Sequence, residues 1–232
     1  MPRETFDKKI QQIKDEILIL GSMVEQAMLD SVAAFKSRDI QAANQLIEED
    51  QPINDKRFAL ENAILILLAT QQPLAHDLRL LAAMLLVSNE LERMGDYAKG
   101  IANNTLRLGP SDIPIPMSDI EKMAILGVNM LHRALSAFIK EDLQAAIRIP
   151  REDDAVDDLF NKSYRSIVDS MIANPSVIDD ASYLLWVVHN LERFADRVTN
   201  ICERTVFIIS GDLMEMDNTD DEVLDDLIDH NE

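Results

Sequence analysis

Phe6, Ile10, Ile13, Ile17, Leu20, Val24, Ala27, Ser31 and Phe35 follow one another in alternating steps of four and three. On an α-helix that spacing draws one apolar seam, the pattern of a helix packed at a shallow angle in a bundle. The seam breaks near Ser37-Arg38-Asp39. A second helical pattern runs from Ile40 to about Thr70 and ends at Gln71-Gln72-Pro73. A third runs from Leu74 to about Leu108, where Gly109-Pro110 stops it and Ile113-Pro114-Ile115-Pro116 forms an extended linker. The cycle then restarts. A fourth helix is predicted from about Ser118 to Lys140, with Ser118 and Glu121 spaced as a capping box. A fifth spans about Asp142 to Ala173 and ends at Asn174-Pro175. A sixth spans about Asp179 to Ser210, with Gly211 as its stop. The expected fold is all-α: two tandem three-helix bundles, residues 1–109 and 118–211, made of six long antiparallel helices. A Pro-rich linker, 110–117, joins them. An acidic tail, 212–232, follows, in which Val223-Leu224 and Leu227-Ile228 are the helix-like apolar pairs.

Composition agrees. Of 232 residues only 6 are Gly and 8 are Pro, and 47% are hydrophobic, which favours helix and a sizeable core. The net charge of −20 repels nucleic acid, so cations and basic protein surfaces are the natural partners. The single cysteine, Cys202, excludes a disulfide framework and reads as a small core residue of a reducing compartment. The N-terminal residues lack the apolar region of a signal peptide. No run approaches the ~18 to 20 apolar residues needed to span a bilayer. The expectation is a soluble, cytoplasmic protein that does not span a membrane.

The halves repeat. Leu91-Glu92-Arg93-Met94-Gly95-Asp96 returns as Leu191-Glu192-Arg193-Phe194-Ala195-Asp196. Ala34-Phe35 followed by Asp39-Ile40-Gln41-Ala42-Ala43 returns as Ala137-Phe138 followed by Asp142-Leu143-Gln144-Ala145-Ala146. In the third helix one apolar stripe, Leu80, Met84, Val87, Leu91, Met94, Ala98, Ile101 and Leu108, runs the full length. A second, Leu74, Leu78, Leu81 and Leu85, turns polar at Glu92, Asp96, Lys99 and Asn103. That helix is expected to start buried on two sides and end with an open acidic face.

Glu92 with Asp96, and Glu192 with Asp196, lie one helical turn apart on one face. Like charges so placed repel by a few tenths of a kcal/mol. One helix earlier stand Asp153 with Asp157 and, at the matching place, Asp50 with Asn54. Neighbouring helices carrying such pairs bring four oxygen donors to one site, which suits Mg²⁺, Mn²⁺ or Ca²⁺, and carboxylates also bind iron. Arg93 and Arg193 lie i,i+3 from Asp96 and Asp196, as buttresses. Solvated acidic faces with such intrahelical ion pairs are the plain alternative.

Gln72-Pro73-Leu74-Ala75-His76-Asp77-Leu78-Arg79, Asn89-Glu90-Leu91-Glu92-Arg93-Met94-Gly95-Asp96-Tyr97-Ala98 and the echo Asn190-Leu191-Glu192-Arg193-Phe194-Ala195-Asp196 resemble the PhoU family of phosphate-uptake regulators over nearly the whole chain. The resemblance implies two three-helix bundles with metal sites built from acid-xxx-Asp motifs: Asp50 with Asn54, Glu92 with Asp96, Asp153 with Asp157, Glu192 with Asp196. It implies divalent or trivalent ions, Mg, Mn, Fe or Zn. It also implies a non-enzymatic, commonly dimeric negative regulator that connects the phosphate ABC-transporter ATPase to the sensor histidine kinase of the phosphate-starvation response. Asn54 and Pro52 depart from the pattern. Asn54 stands where an acid would add charge, and Pro52 should kink its helix at a cost of ~3 kcal/mol. Both single out the first-half site as the weaker or differently shaped one.

Two other classes remain on the residues alone. A metal-free adaptor would use its acidic faces to dock basic partners. A ferritin-like di-iron enzyme pairs carboxylates with Glu-x-x-His. The residues three before His76, His132, His189 and His230 are Pro73, Asn129, Trp186 and Leu227, so that motif is missing. His189 stands i,i+3 before Glu192, in the reverse order. No phosphate-binding Gly loop is present.

Overall fold

The computed structural model describes residues 3–108 and 113–216, and the apolar pairs expected in the tail lie outside them. Among the described residues are seven α-helices: α1 Arg3–Ser37, α2 Ile40–Gln71, α3 His76–Arg107, α4 Met117–Lys140, α5 Leu143–Arg148, α6 Asp153–Ala173 and α7 Ile178–Ser210. This is the six-helix layout with its fifth member broken. Pro150 has no N–H, and its ring collides with the carbonyl four residues back, so α5 stops at Arg148 and a 3-10 turn, Pro150–Glu152, leads into α6. Pro52, by contrast, lies inside α2, which stays helical from Ile40 to Gln71.

The repeat extends to the backbone. Arg38 and Glu141 both take the left-handed conformation, φ 55° and 56°. The next residue, Asp39 or Asp142, donates its N–H to the carbonyl of Ala34 or Ala137, at 2.9 Å in each half. Its side chain then caps the next helix: Asp39 accepts from the N–H of Gln41 and Ala42, and Asp142 from that of Ala145. The capping box expected at Ser118 does not form. Pro116, its φ fixed at −76°, takes the N-cap place and starts α4 at Met117, so Ser118 is already inside the first turn. Gly211 ends α7 at φ 87°, as expected.

The seam of α1 is buried: Ile17, Leu20 and Val24 are fully enclosed, and Phe35 nearly so. This helix holds an 18-residue stretch of mean hydropathy 1.4, greasier than the sequence reading allowed, and 44% of that stretch is buried. Its apolar character serves the core, since α1 packs against α2, α3 and α4. At Gly21 an added Cβ would lie 2.2 Å from Leu135 Cδ1, so glycine permits the close approach of α1 to α4.

The most extensive helix pairing is between α3 and α7, one from each half. Phe35, Phe138 and Phe194 belong to one continuous core that takes residues from both three-helix sets. Cys202 is fully buried there, and desolvation pushes its thiol up, which leaves it unreactive. The second stripe of α3 departs from expectation. Leu81 is enclosed, but Leu74, which precedes the start of α3 at His76, and Leu78 are exposed.

Candidate metal centres

Each half presents its acids along the seam between two helices. In the first half, α2 brings Asp50 to face Glu92 and Asp96 of α3. The Asp50 side chain is 5% exposed. Its Oδ2 accepts from Lys99 Nζ at 2.7 Å and from Asn54 Nδ2 at 2.9 Å, while its Oδ1 is buried without a hydrogen bond. Glu92 is raised above the ordinary carboxylate value by desolvation, then by Asp96 and Asp50, with Arg57 and Arg93 opposing. Asp96 is raised by desolvation and by Asp50, with Lys99 opposing. Arg57 lies at this end of the seam, bonded to Glu61 at 2.7 Å and to Asn89 at 3.3 Å.

In the second half, α6 and α7 repeat the plan with other neighbours. Glu192 is raised by desolvation, then by Asp196, with Arg193 opposing and Asp157 across the seam raising it further. Its Oε2 is buried and makes no hydrogen bond, although His189 Nδ1 and Arg193 Nε approach to 3.4 and 3.5 Å. Arg193 also donates to Asp196 at 3.2 Å, the buttress expected from the spacing. Burial lowers the pKa of His189, with Arg193 adding to the effect and Asp196 opposing it. The ring belongs to an aromatic cluster, 5.9 Å from Trp186 and 6.5 Å from Phe160 between centroids.

The eight residues singled out thus fall into two groups. Asp50, Asn54, Glu92 and Asp96 meet in the first half. Glu192, Asp196 and Asp157 meet in the second, where α6 also carries Asp153, one turn before Asp157. Among the described residues, no three His, Cys, Asp or Glu side chains converge tightly enough to hold a metal ion as they stand. The donor chemistry fits a hard cation: oxygens on two facing helices, desolvation and then mutual repulsion that raise three carboxyls, and a buried Glu192 oxygen with no hydrogen bond. In the first half Lys99 already supplies a positive charge at the same place.

Lys99 and Arg57 were legible as residues but not as partners of the acids, because that depends on how α2 rolls against α3. The polar bridge between the halves also went unread. Arg197 donates to Tyr97 at 3.3 Å and to Glu90 at 3.5 Å, and Asn200 donates to Glu90 at 3.2 Å. Each contact joins α3 to α7.

Comparison with known proteins gives one family. The PhoU domain model matches the chain twice, over residues 17–105 and 120–205. The phosphate-specific transport system accessory protein PhoU homolog of Clostridium acetobutylicum is 30% identical over 94% of this chain and 100% of its own length. The Escherichia coli K12 accessory protein PhoU is 31% identical over 89% of this chain and 86% of its own length. In three dimensions, the phosphate transport system regulatory protein PhoU from Streptococcus pneumoniae superposes with a TM-score of 0.83 at 30% identity, covering 90% of this chain and 99% of that one. PhoU from Pseudomonas aeruginosa gives 0.84 at 27% identity, covering 89% of this chain and all of that one. With the repeated helices, the repeated caps and the paired acidic seams in agreement, the chain belongs to the PhoU family.

Proposed function

We propose that this protein is a non-catalytic negative regulator of phosphate uptake and of the phosphate-starvation two-component response. It works in the cytoplasm as a homodimer. Its partners are the ATPase of a phosphate ABC transporter and a phosphate-sensing histidine kinase, which it biases toward the inactive or phosphatase state when phosphate is ample. The observation that carries this reading is the near end-to-end likeness, repeat for repeat, to phosphate-specific transport accessory proteins. Deleting the gene should leave phosphate-response promoters active in high phosphate, read with a reporter strain. Normal repression in that strain would contradict the proposal. Capture of the ATPase and the kinase by the tagged protein tests the partners directly.

Metal ions belong to this reading. Glu192, Asp196, Asp153 and Asp157 would hold a divalent or trivalent cation in the second half, and Asp50, Asn54, Glu92 and Asp96 are the corresponding set in the first. The ion would supply positive charge that cancels the repulsion among the acids. The chain's own part is to orient them: Arg193 steadies Asp196, and α7 keeps Glu192 half-buried.

A metal-free adaptor is the second reading, favoured by one observation: Lys99 and Asn54 already satisfy one oxygen of Asp50. Elemental analysis after Mn²⁺, Fe²⁺ or Mg²⁺ loading separates the two. Metal content that falls in Glu192→Gln and Asp196→Asn supports the first reading. Equally little metal in wild type and variants supports the second.

A further inference from the structure

The two acidic seams are related by the internal repeat, yet the residues facing them differ in one consistent direction. The place of Lys99 on α3 is taken on α7 by Thr199, which is buried and carries no charge. The place of Asn54 is taken by Asp157. The place of Arg57, whose charge lowers Glu92, is taken by Phe160. The place of Asn89, which accepts from Arg57, is taken by His189, which lies against Phe160. One pair of positions lies together in both halves, Arg57 with Asn89 and Phe160 with His189, so there the correspondence is spatial as well as sequential. In the first half a lysine and an arginine answer three acids, Asp50, Glu92 and Asp96. In the second half the corresponding positions add a fourth acid and an imidazole and contribute no cation.

We propose that Lys99 is the built-in cation of the first half, standing where the repeat-related site takes an external ion, so that metal binding is confined to the second half. This rests on the metal reading above. The geometry is that of a substituted cation. Lys99 Nζ is 2.7 Å from Oδ2 of the Asp50 carboxylate, whose side chain is 95% enclosed, and Asn54 donates to the same oxygen instead of offering a second charge. An ammonium group there neutralises the seam without any solution ion, and it blocks entry of one. In the second half His189 places a ring nitrogen beside Glu192, and an imidazole donor favours Mn, Fe or Zn over Mg or Ca.

The test uses the full chain, loaded with Mn²⁺, desalted and assayed for bound metal and thermal unfolding. Five forms are compared: wild type, Glu192→Gln/Asp196→Asn, that variant with Asp50→Asn added, Lys99→Met, and Lys99→Met combined with Glu192→Gln/Asp196→Asn. The second-half variant should lose at least nine-tenths of the wild-type metal. Lys99→Met should melt below wild type in chelator, and the combined variant, which has no second-half site, should still gain stability on adding Mn²⁺, because Asp50 lacks its partner until an ion replaces it. The combined variant should regain metal that the second-half variant lacks. Metal kept by the second-half variant and lost when Asp50→Asn is added would overturn the inference and leave the metal reading standing. A combined variant that takes up no Mn²⁺ and whose melting is indifferent to it would overturn the inference in the same way. No metal on any form, wild type included, would overturn both together. Circular dichroism of each form separates lost binding from lost folding.

Discussion

Glu92, Asp96 and Glu192 each hold a proton more tightly in the fold than an isolated carboxyl does, desolvation being the largest cause in every case. A carboxyl raised in the folded state binds more protons there than in the unfolded chain. Its favourable contribution is therefore present below the ordinary carboxylate range and is lost as pH rises through the raised value. At neutral pH these three are a standing strain on the metal-free protein. Glu192→Gln should accordingly raise the melting temperature of metal-free protein at pH 7 and flatten its rise on acidification. On the metal reading proposed above, the same substitution should lower it in Mn²⁺, since a bound ion would stabilise the native state only while it has its ligands. Calorimetry between pH 7 and 5, in chelator and in Mn²⁺, reads both signs, and a variant that melts lower in both conditions would contradict the argument. At this scale the acids were legible because i,i+4 spacing fixes a shared face. Lys99 was legible only as part of that face, because its bond to Asp50 is set by the packing of a different helix.

Helices α2 and α5–α6 answer the same design with prolines in different places. Pro150 breaks its helix, whereas Pro52 is carried inside a helix that continues to Gln71. Pro52 has no N–H to give the carbonyl of Glu48. Its ring is exposed, beside Leu18, Ile19 and Ile53, so replacing it removes little packing. Pro52→Ala should stabilise the protein by roughly 2 kcal/mol, most of the ~3 kcal/mol difference between these residues in a helix interior. Denaturant unfolding monitored by circular dichroism checks it, and a loss of stability would mean that the proline serves its surroundings. The helices themselves were plain in the sequence, since a 4-3 seam held over 30 residues admits no strand. Their ends were less so. The Asp39 and Asp142 turns showed in the repeat, while the start of α4 was misread because Pro116 outranks a serine two residues later. Pro150 was passed over because the apolar pattern continues on both sides of it.

At the scale of the molecule, the sequence suggests two bundles on a linker, and the repeat does not reveal how they meet. Periodicity identifies an apolar face but not which helix covers it. Here α3 and α7 cover one another, and Arg197 and Asn200 tie them through Tyr97 and Glu90. Covalent continuity between Leu108 and Ile113 is therefore not what keeps the halves together. A chain carrying an engineered protease site in that segment, once cut, should still elute from a sizing column as a single uncleaved-sized species and separate only in denaturant. Two smaller peaks would refute this. The two pieces would then be separable gene products able to find each other: a split pair whose reunion could be placed under the control of expression alone.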